Sequence, residues 1–186
     1  TTKKNRIKDL IEFSRGFQNT PQLLILKKMV KSGNISLEAK INFTDDGKIS
    51  KDYVINGDLE NVKLKLFNKD IIENIKFGFI IKNKNYFVYN ALSVYQNIKF
   101  RSDEISIIEK DNTFVFDGNI STSKNDIYLK TISKIFQTDL KSFKKDKIVF
   151  SSNNKFSFEL NKKFKFSNIK VNSKINIESL EYPNLS

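Results

Sequence analysis

Alternation of apolar and polar residues with a period of two is the feature that most limits what this chain can fold into. It is clearest over residues 113–121, where Phe114, Phe116, Gly118 and Ile120 share one face and the intervening residues share the other. The same period begins at Ile35 and recurs almost to the end of the 186 residues. It predicts ten or more short antiparallel strands, each with one apolar side.

A second period interrupts the strands once. From residue 126 to about residue 138 the apolar positions recur every three or four residues, which is typical of an amphipathic helix. Asn125 precedes this segment and is a favourable N-cap, and Asp126 puts a carboxylate at the positive end of the helix dipole. We therefore predict a helix at about 126–138.

The pattern of the first 33 residues predicts two further helices. Ile7–Phe17 predicts a short helix, and Thr20-Pro21 supplies a cap and a first-turn proline for a second one that ends near Gly33. The predicted organisation is a helical segment at 1–33 and an antiparallel β domain at 34–186, joined as one structural unit. Because the chain starts Thr1-Thr2 and stops after a strand pattern, we expect it to be a segment of a longer protein.

The amino-acid composition excludes several common kinds of catalytic site. The chain has no Cys and no His, which excludes disulfides and thiolate sites and removes the commonest general base and metal ligand. Asp45-Asp46-Gly47-Lys48 lacks the ligand spacing of a calcium loop, so we interpret it as a hairpin turn with Gly47 at positive φ. No glycine-rich phosphate loop or nucleophile motif is present. We therefore expect no enzyme activity, no cofactor and no metal.

The net charge of +12 is concentrated at the two ends, whereas residues 34–140 are balanced. The basic residues are almost all Lys in a chain rich in Asn, Ile and Phe, as in proteins from AT-biased genomes. The aromatic residues alternate onto the apolar face, so we expect no nucleic-acid partner. No run of about 20 apolar residues and no signal peptide are visible.

The predicted sheet is too wide for its helices. Ten strands spaced about 4.8 Å apart make a sheet about 45 Å wide, and a helix about 10–12 Å across covers roughly two of them. The uncovered apolar face requires a closed barrel, a sandwich, or a curled trough whose lining meets a ligand or further chain. The pattern alone favours a dry core over a lipid-lined trough.

The order of elements resembles the AsmA-like superfamily of bacterial envelope proteins, in particular its YhdP-like branch. The likeness spans residues 21–136. It is carried by a helix ending at Gly33, the meander ISLEAKINF…DDGK…YVINGDLENVKLKL with its Tyr53-x-Ile55-x-Gly57-x-Leu59 strand, and the Asp117-Gly118 step before a helix.

The resemblance implies a mainly β fold with a few helices (α+β), in which a large curled antiparallel sheet forms a groove or half-barrel. It implies a periplasmic segment of a protein anchored in the inner membrane of a Gram-negative bacterium, carrying phospholipid between the two membranes. The expected partners are phospholipid acyl chains and, through other parts of the parent, the membrane. The alternative is a closed β-rich structural or adhesion domain with no lipid ligand.

The groove lining that follows from the resemblance is the set of inward apolar residues on the predicted strands. These are Ile41, Phe43, Tyr53, Ile55, Leu64, Leu66, Phe77, Phe79, Phe114 and Phe116.

Overall fold

A computed structural model describes residues 4–17, 20–48, 50, 52–66, 69–83, 85–111, 113–136, 147–163 and 165–180. The helices are α1 (Ile7–Phe17), α2 (Pro21–Met29) and α3 (Leu129–Phe136). The strands are β1 (Asn5–Arg6), β2 (Val30–Lys40), β3 (Val54–Lys65), β4 (Ile71–Lys82), β5 (Asn85–Tyr95), β6 (Ile98–Lys110), β7 (Thr113–Tyr128), β8 (Lys147–Asn161) and β9 (Phe166–Leu180).

The strands form one nine-stranded sheet in which each strand pairs antiparallel with the next one in sequence. β1 and β9 are its two edges, so the described sheet is not closed into a barrel. The predicted class, mainly β with a few helices and one large antiparallel sheet, is confirmed. The predicted hairpin turn is also present: the N–H of Thr44 donates to the carbonyl of Lys48 at 2.8 Å, and Gly47 has φ +77°.

The described residues form nine strands, fewer and longer than the ten or more short strands predicted, because several breaks in the alternation are β-bulges inside longer strands. Asn61, Asn74, Asn90 and Asn168 each lie at a register shift and have φ of 52–53°. Asn tolerates this left-handed conformation better than most residues. The extra residue restores the apolar side chains to their original face, and it bends the strand and increases its twist.

The core lies where α1 packs against β2 and β3. Ile7, Ile11, Val30 and Val62 are only 2–6% exposed, and partly buried neighbours pack around them. Since residues of both the helices and the sheet form this cluster, the two regions make one packed unit. The bounds differ from the prediction, because β1 and the start of β2 fall within residues 1–33.

α2 begins as predicted and ends earlier. The hydroxyl of Thr20 accepts a hydrogen bond from the N–H of Leu23 at 3.3 Å, and Pro21 is the first helical residue. The helix ends at Met29, because Val30 is drawn into the core and starts β2. Gly33 is therefore not a helix cap. It lies in β2 with φ +137°, where a Cβ would come within 2.8 Å of Val62 Cα.

The helix predicted at about 126–138 begins later, at Leu129. Residues 125–128 belong to β7 and pair with residues 147–150 of β8. A register shift after Thr122 turns Ile127 inward, where it is 4% exposed. The ladder and this burial outweigh the local cap at Asn125. Positions 137 and 138 lie outside the described residues.

Candidate functional site

Cross-strand pairing collects the apolar side chains of successive strands on one face of the sheet, which we call the inner face. From β3 to β8 the pairing runs Ile55 to Ile81, Tyr86, Ile107, Phe116 and Phe158, each opposite the next. The rings of Phe116 and Phe158 stack, with centroids 4.6 Å apart and an interplanar angle of 12°. The inner face is therefore one continuous apolar surface across these strands.

The helices cover part of this surface. In the described part of the chain, α1 and α2 pack at the β2–β3 end. At the opposite edge, Ile169, Val171, Ile175 and Ile177 of β9 are 58–64% exposed. Contiguous apolar exposure of this kind is characteristic of a site that meets another apolar body.

The inner face contains a cavity of about 450 Å³ between β5 and β9. Most of its lining is aliphatic or aromatic, including Ile98, Phe100, Ile127, Ile148, Phe150 and Ile177; Tyr95 and Ile175 complete the apolar part. Because residues from five consecutive strands border one cavity, the inner face is concave there. The volume lies within the range of about 300–1,000 Å³ for small-molecule sites.

One side of the cavity is polar and internally hydrogen-bonded. The hydroxyls of Thr122 and Ser152 lie 3.0 Å apart, and the Asn154 amide donates to Ser152 Oγ and to the Ile120 carbonyl, both at 3.0 Å. Thr122 is 5% exposed. These partners let polar groups lie in the apolar face without the cost of unpaired burial.

Two tyrosines on the inner face have raised pKa values. The hydroxyl of Tyr95 donates to Asp70 Oδ2 at 2.7 Å, and this bond to a carboxylate is the main reason that the pKa of Tyr95 is raised. The pKa of Tyr86 is raised mainly by burial and further by the nearby charge of Glu109. Both phenols therefore stay neutral up to a higher pH than an ordinary tyrosine side chain.

Five of the ten predicted lining residues lie on the inner face. These are Ile55, Phe77, Phe79, Phe114 and Phe116, all half-buried and paired across neighbouring strands. Leu64 shares the face but packs against the core beneath α1.

The other four lie outside the strands. Ile41 and Phe43 are 43% and 67% exposed in the β2–β3 connection, because β2 ends at Lys40. Leu66 lies in the β3–β4 turn, where its N–H donates to the Asp70 carbonyl at 2.8 Å. Tyr53 directly precedes β3.

None of the predicted residues lines the cavity. Its lining residues lie in strands that the alternation did predict, such as Ile98 and Phe100. What singles them out is the curvature of β5–β9. The bulge at Asn90 contributes to that curvature, and the period of two alone does not reveal it.

Among the residues that the structure describes, no group of three His, Cys, Asp or Glu side chains is placed to hold a metal ion. Of the helices in the described ranges, none has the length and apolarity needed to cross a bilayer.

Comparison of the chain with known proteins gives no match among protein-family models, curated proteins or solved structures. The resemblance to AsmA-like proteins therefore stays a prediction from the sequence.

Proposed function

We propose that the inner face holds the alkyl chains of phospholipids and keeps them out of water. The observation that carries the proposal is the cavity of about 450 Å³, which lies in the apolar inner face and is bordered mainly by Ile and Phe side chains. Shielding hydrocarbon from water is worth about 0.8 kcal/mol per CH₂ group, so even a short buried stretch of acyl chain gives substantial binding.

The ends of the strands suit phosphate headgroups. β2, β3, β4 and β6 end in a lysine and β8 begins with one; these residues are Lys40, Lys65, Lys82, Lys110 and Lys147, and all are exposed. An ammonium group at the margin of an apolar surface can meet an anionic phosphate while the acyl chains lie on the inner face. This arrangement favours phospholipids over uncharged hydrocarbons.

In the proposed activity a lipid moves from the bilayer to the protein, and no covalent bond is formed or broken. A lipid exchanges the hydrocarbon of a bilayer for the inner face, so its free energy changes little along the path. The resemblance to the YhdP-like branch supports transport between inner and outer membranes, in the periplasm, by a parent protein anchored in the inner membrane.

The test is lipid capture. The protein is purified without detergent and its bound lipids are quantified by mass spectrometry. In parallel, a benzophenone amino acid replaces Phe116 or Phe150 on the inner face, with Asp117 as the control, because Asp117 neighbours Phe116 and points to the other face. We expect about one or more phospholipids per chain and crosslinks from the two inner positions only.

Protein free of lipid, with no crosslink from either inner position after incubation with phospholipid vesicles, would overturn the proposal. That outcome would favour a structural or adhesion domain with no lipid ligand. Equal crosslinking from Asp117 would indicate nonspecific adsorption and would also contradict an inner-face site.

A further inference from the structure

Among the strands that the structure describes, none pairs with the outer side of β9, and the apolar side chains of β9 are exposed. It bonds to β8 along one side and is the last strand of the described sheet. Its inner-face side chains Ile169, Val171, Ile175 and Ile177 are 58–64% exposed. Between the register shifts near its two ends, residues 170–177 pair regularly with residues 150–157 of β8. A long, regular, apolar edge is a template for another strand.

The hydrogen bonds show which backbone groups of β9 face the free edge. The N–H of Asn161 donates to the Lys165 carbonyl at 3.1 Å, so Asn161 and every second residue before it point toward β9. The N–H of Ser152 donates to Thr122 Oγ1 at 3.0 Å, so the alternate residues point toward β7. The register then makes Asn172 and Lys174 bond to β8, opposite Lys155 and Asn153.

The backbone groups of the odd-numbered residues therefore face outward. Val171, Ser173 and Ile175 present their N–H and C=O groups at the free edge, and their side chains lie on the inner face. A strand added at this edge would extend the ladder and the apolar surface together.

We propose that the occupant of this edge is β9 of a second copy, paired antiparallel about a two-fold axis at Ser173. In this register Val171 lies opposite the partner's Ile175, and Ile169 opposite the partner's Ile177. On the other face, Lys170 lies opposite the partner's Asn176, and Asn172 opposite the partner's Lys174. Apolar residues meet apolar residues, and every lysine meets an asparagine.

Neighbouring registers are less favourable. A shift of two residues one way sets Lys170 opposite the partner's Lys174, and the same shift the other way sets Lys174 opposite the partner's Lys174. Like charges directly opposite destabilise a strand pair. A shift of one residue puts apolar side chains opposite polar ones on both faces. The segment Ile169–Ile177 is thus self-complementary in one register.

The other edge of the sheet fits less well. β2 is already paired with β1 at Asn34 and Ile35, which blocks part of its free side.

A two-fold axis perpendicular to the sheet at Ser173 also keeps the two inner faces on the same side, so the dimer has one continuous apolar face. This pairing holds whether or not the face binds lipid.

The first test uses single cysteines, which the chain permits because it has none of its own. Opposed residues that exchange backbone hydrogen bonds have Cα atoms about 5.5 Å apart, within disulfide range. We expect Ser173→Cys to give a disulfide-linked dimer under mild oxidation. Asn176→Cys is the matched control, because its two copies lie about six residues apart along the ladder and should not crosslink.

The second test is Ser173→Pro, followed by sedimentation velocity. The N–H that proline removes faces the free edge. The β8–β9 ladder therefore keeps its hydrogen bonds, while the dimer loses the two hydrogen bonds that the Ser173 residues of the two copies exchange. We expect a dimer for the unmodified chain and a monomer for the variant, with unchanged circular dichroism. A chain that stays monomeric up to about 100 μM, or a dimer in which Ser173→Cys does not crosslink, would overturn the proposal. If Ser173→Pro does not fold, the crosslinking of Ser173→Cys compared with Asn176→Cys tests the proposal alone.

Discussion

The ring of Phe79 lies over Gly57, the residue directly opposite it on the neighbouring strand. A Cβ added to Gly57 would come within 2.5 Å of Phe79 Cζ and 2.8 Å of Leu37 Cδ2. Gly118 has the same relationship with Phe156, whose Cζ would lie 3.1 Å from an added Cβ. In both pairs the glycine provides the space that the aromatic ring fills, so the ring lies close to the backbone of the sheet.

The Gly57–Phe79 pair predicts a large effect from one methyl group. Gly57→Ala should lower the free energy of unfolding by about 1–3 kcal/mol, because the ring must leave its place and strand positions nearby must shift. Urea denaturation measures this change. Gly16→Ala is the control: nothing lies within 4 Å of the added Cβ, and alanine is the better helix former, so α1 should gain up to about 1 kcal/mol.

A double variant separates this contact from a general loss of strand propensity. Phe79→Leu should recover part of the stability that Gly57→Ala loses, since the smaller side chain leaves room for the methyl group. Strictly additive effects of the two substitutions would contradict direct contact between the two residues.

The sequence predicts the class of fold and much less of its shape. Alternation of period two identifies the strands because pleating sends successive side chains to opposite faces. It fails at Asn61 and Asn74, where an inserted residue resets the period and looks like a turn. The helix expected at Asp126 fails for a different reason, because pairing with Val149 in β8 outweighs local propensity. Both errors concern long-range pairing, which no local pattern contains.

The sequence likewise predicts part of the candidate site and misses the rest. Alternation alone puts Phe114 and Phe116 on one face of their strand, and pairing with β6 and β8 makes that face part of the inner face. Ile41 and Phe43 continue the alternation beyond the end of β2, so the pattern places them on a strand that has already ended. The cavity depends on the curvature of five strands together. No sequence pattern within a single strand therefore predicts it.

The bulge residues supply a second prediction. Asn90 has φ +52°, a conformation that costs an L residue without a short polar side chain about 1–2 kcal/mol. Asn90→Ala should therefore destabilise the protein by roughly that amount, whereas Asn90→Gly should be close to neutral. Thermal unfolding of the two variants distinguishes them. Equal loss in both would show that the asparagine side chain, and not the backbone conformation, matters at this position.

The hydrogen bond from Tyr95 to Asp70 predicts a pH dependence. The pKa of Tyr95 is raised in the folded protein, so the phenol keeps a proton that the unfolded chain releases near its usual pKa of about 10. The stabilisation is complete below about pH 10 and is lost as pH rises through the folded pKa. Tyr95→Phe should cost about 1 kcal/mol at neutral pH and should flatten the loss of stability above about pH 10.

Urea unfolding at several pH values tests this. Tyr128→Phe is the control, because Tyr128 is exposed and the substitution removes a phenol without touching the bond from Tyr95 to Asp70. A Tyr95→Phe variant whose stability falls as steeply with pH as that of the unmodified chain would contradict the assignment.

The edge of the cavity offers a test of lipid binding at an exposed residue of β9, to be read on the monomeric Ser173→Pro background so that pairing between copies plays no part. Ile177 borders the cavity and is 61% exposed, whereas the neighbouring Asn176 points to the other face. Ile177→Asp replaces an apolar contact worth about 1.5–3 kcal/mol by a solvated carboxylate, so affinity for a fluorescent phospholipid should fall about tenfold or more. Asn176→Asp adds the same charge on the opposite face and should bind within about twofold of the unmodified protein. Equal weakening in both variants would indicate a general effect of negative charge on an anionic ligand, and unchanged binding in both would mean that the lipid does not enter this cavity.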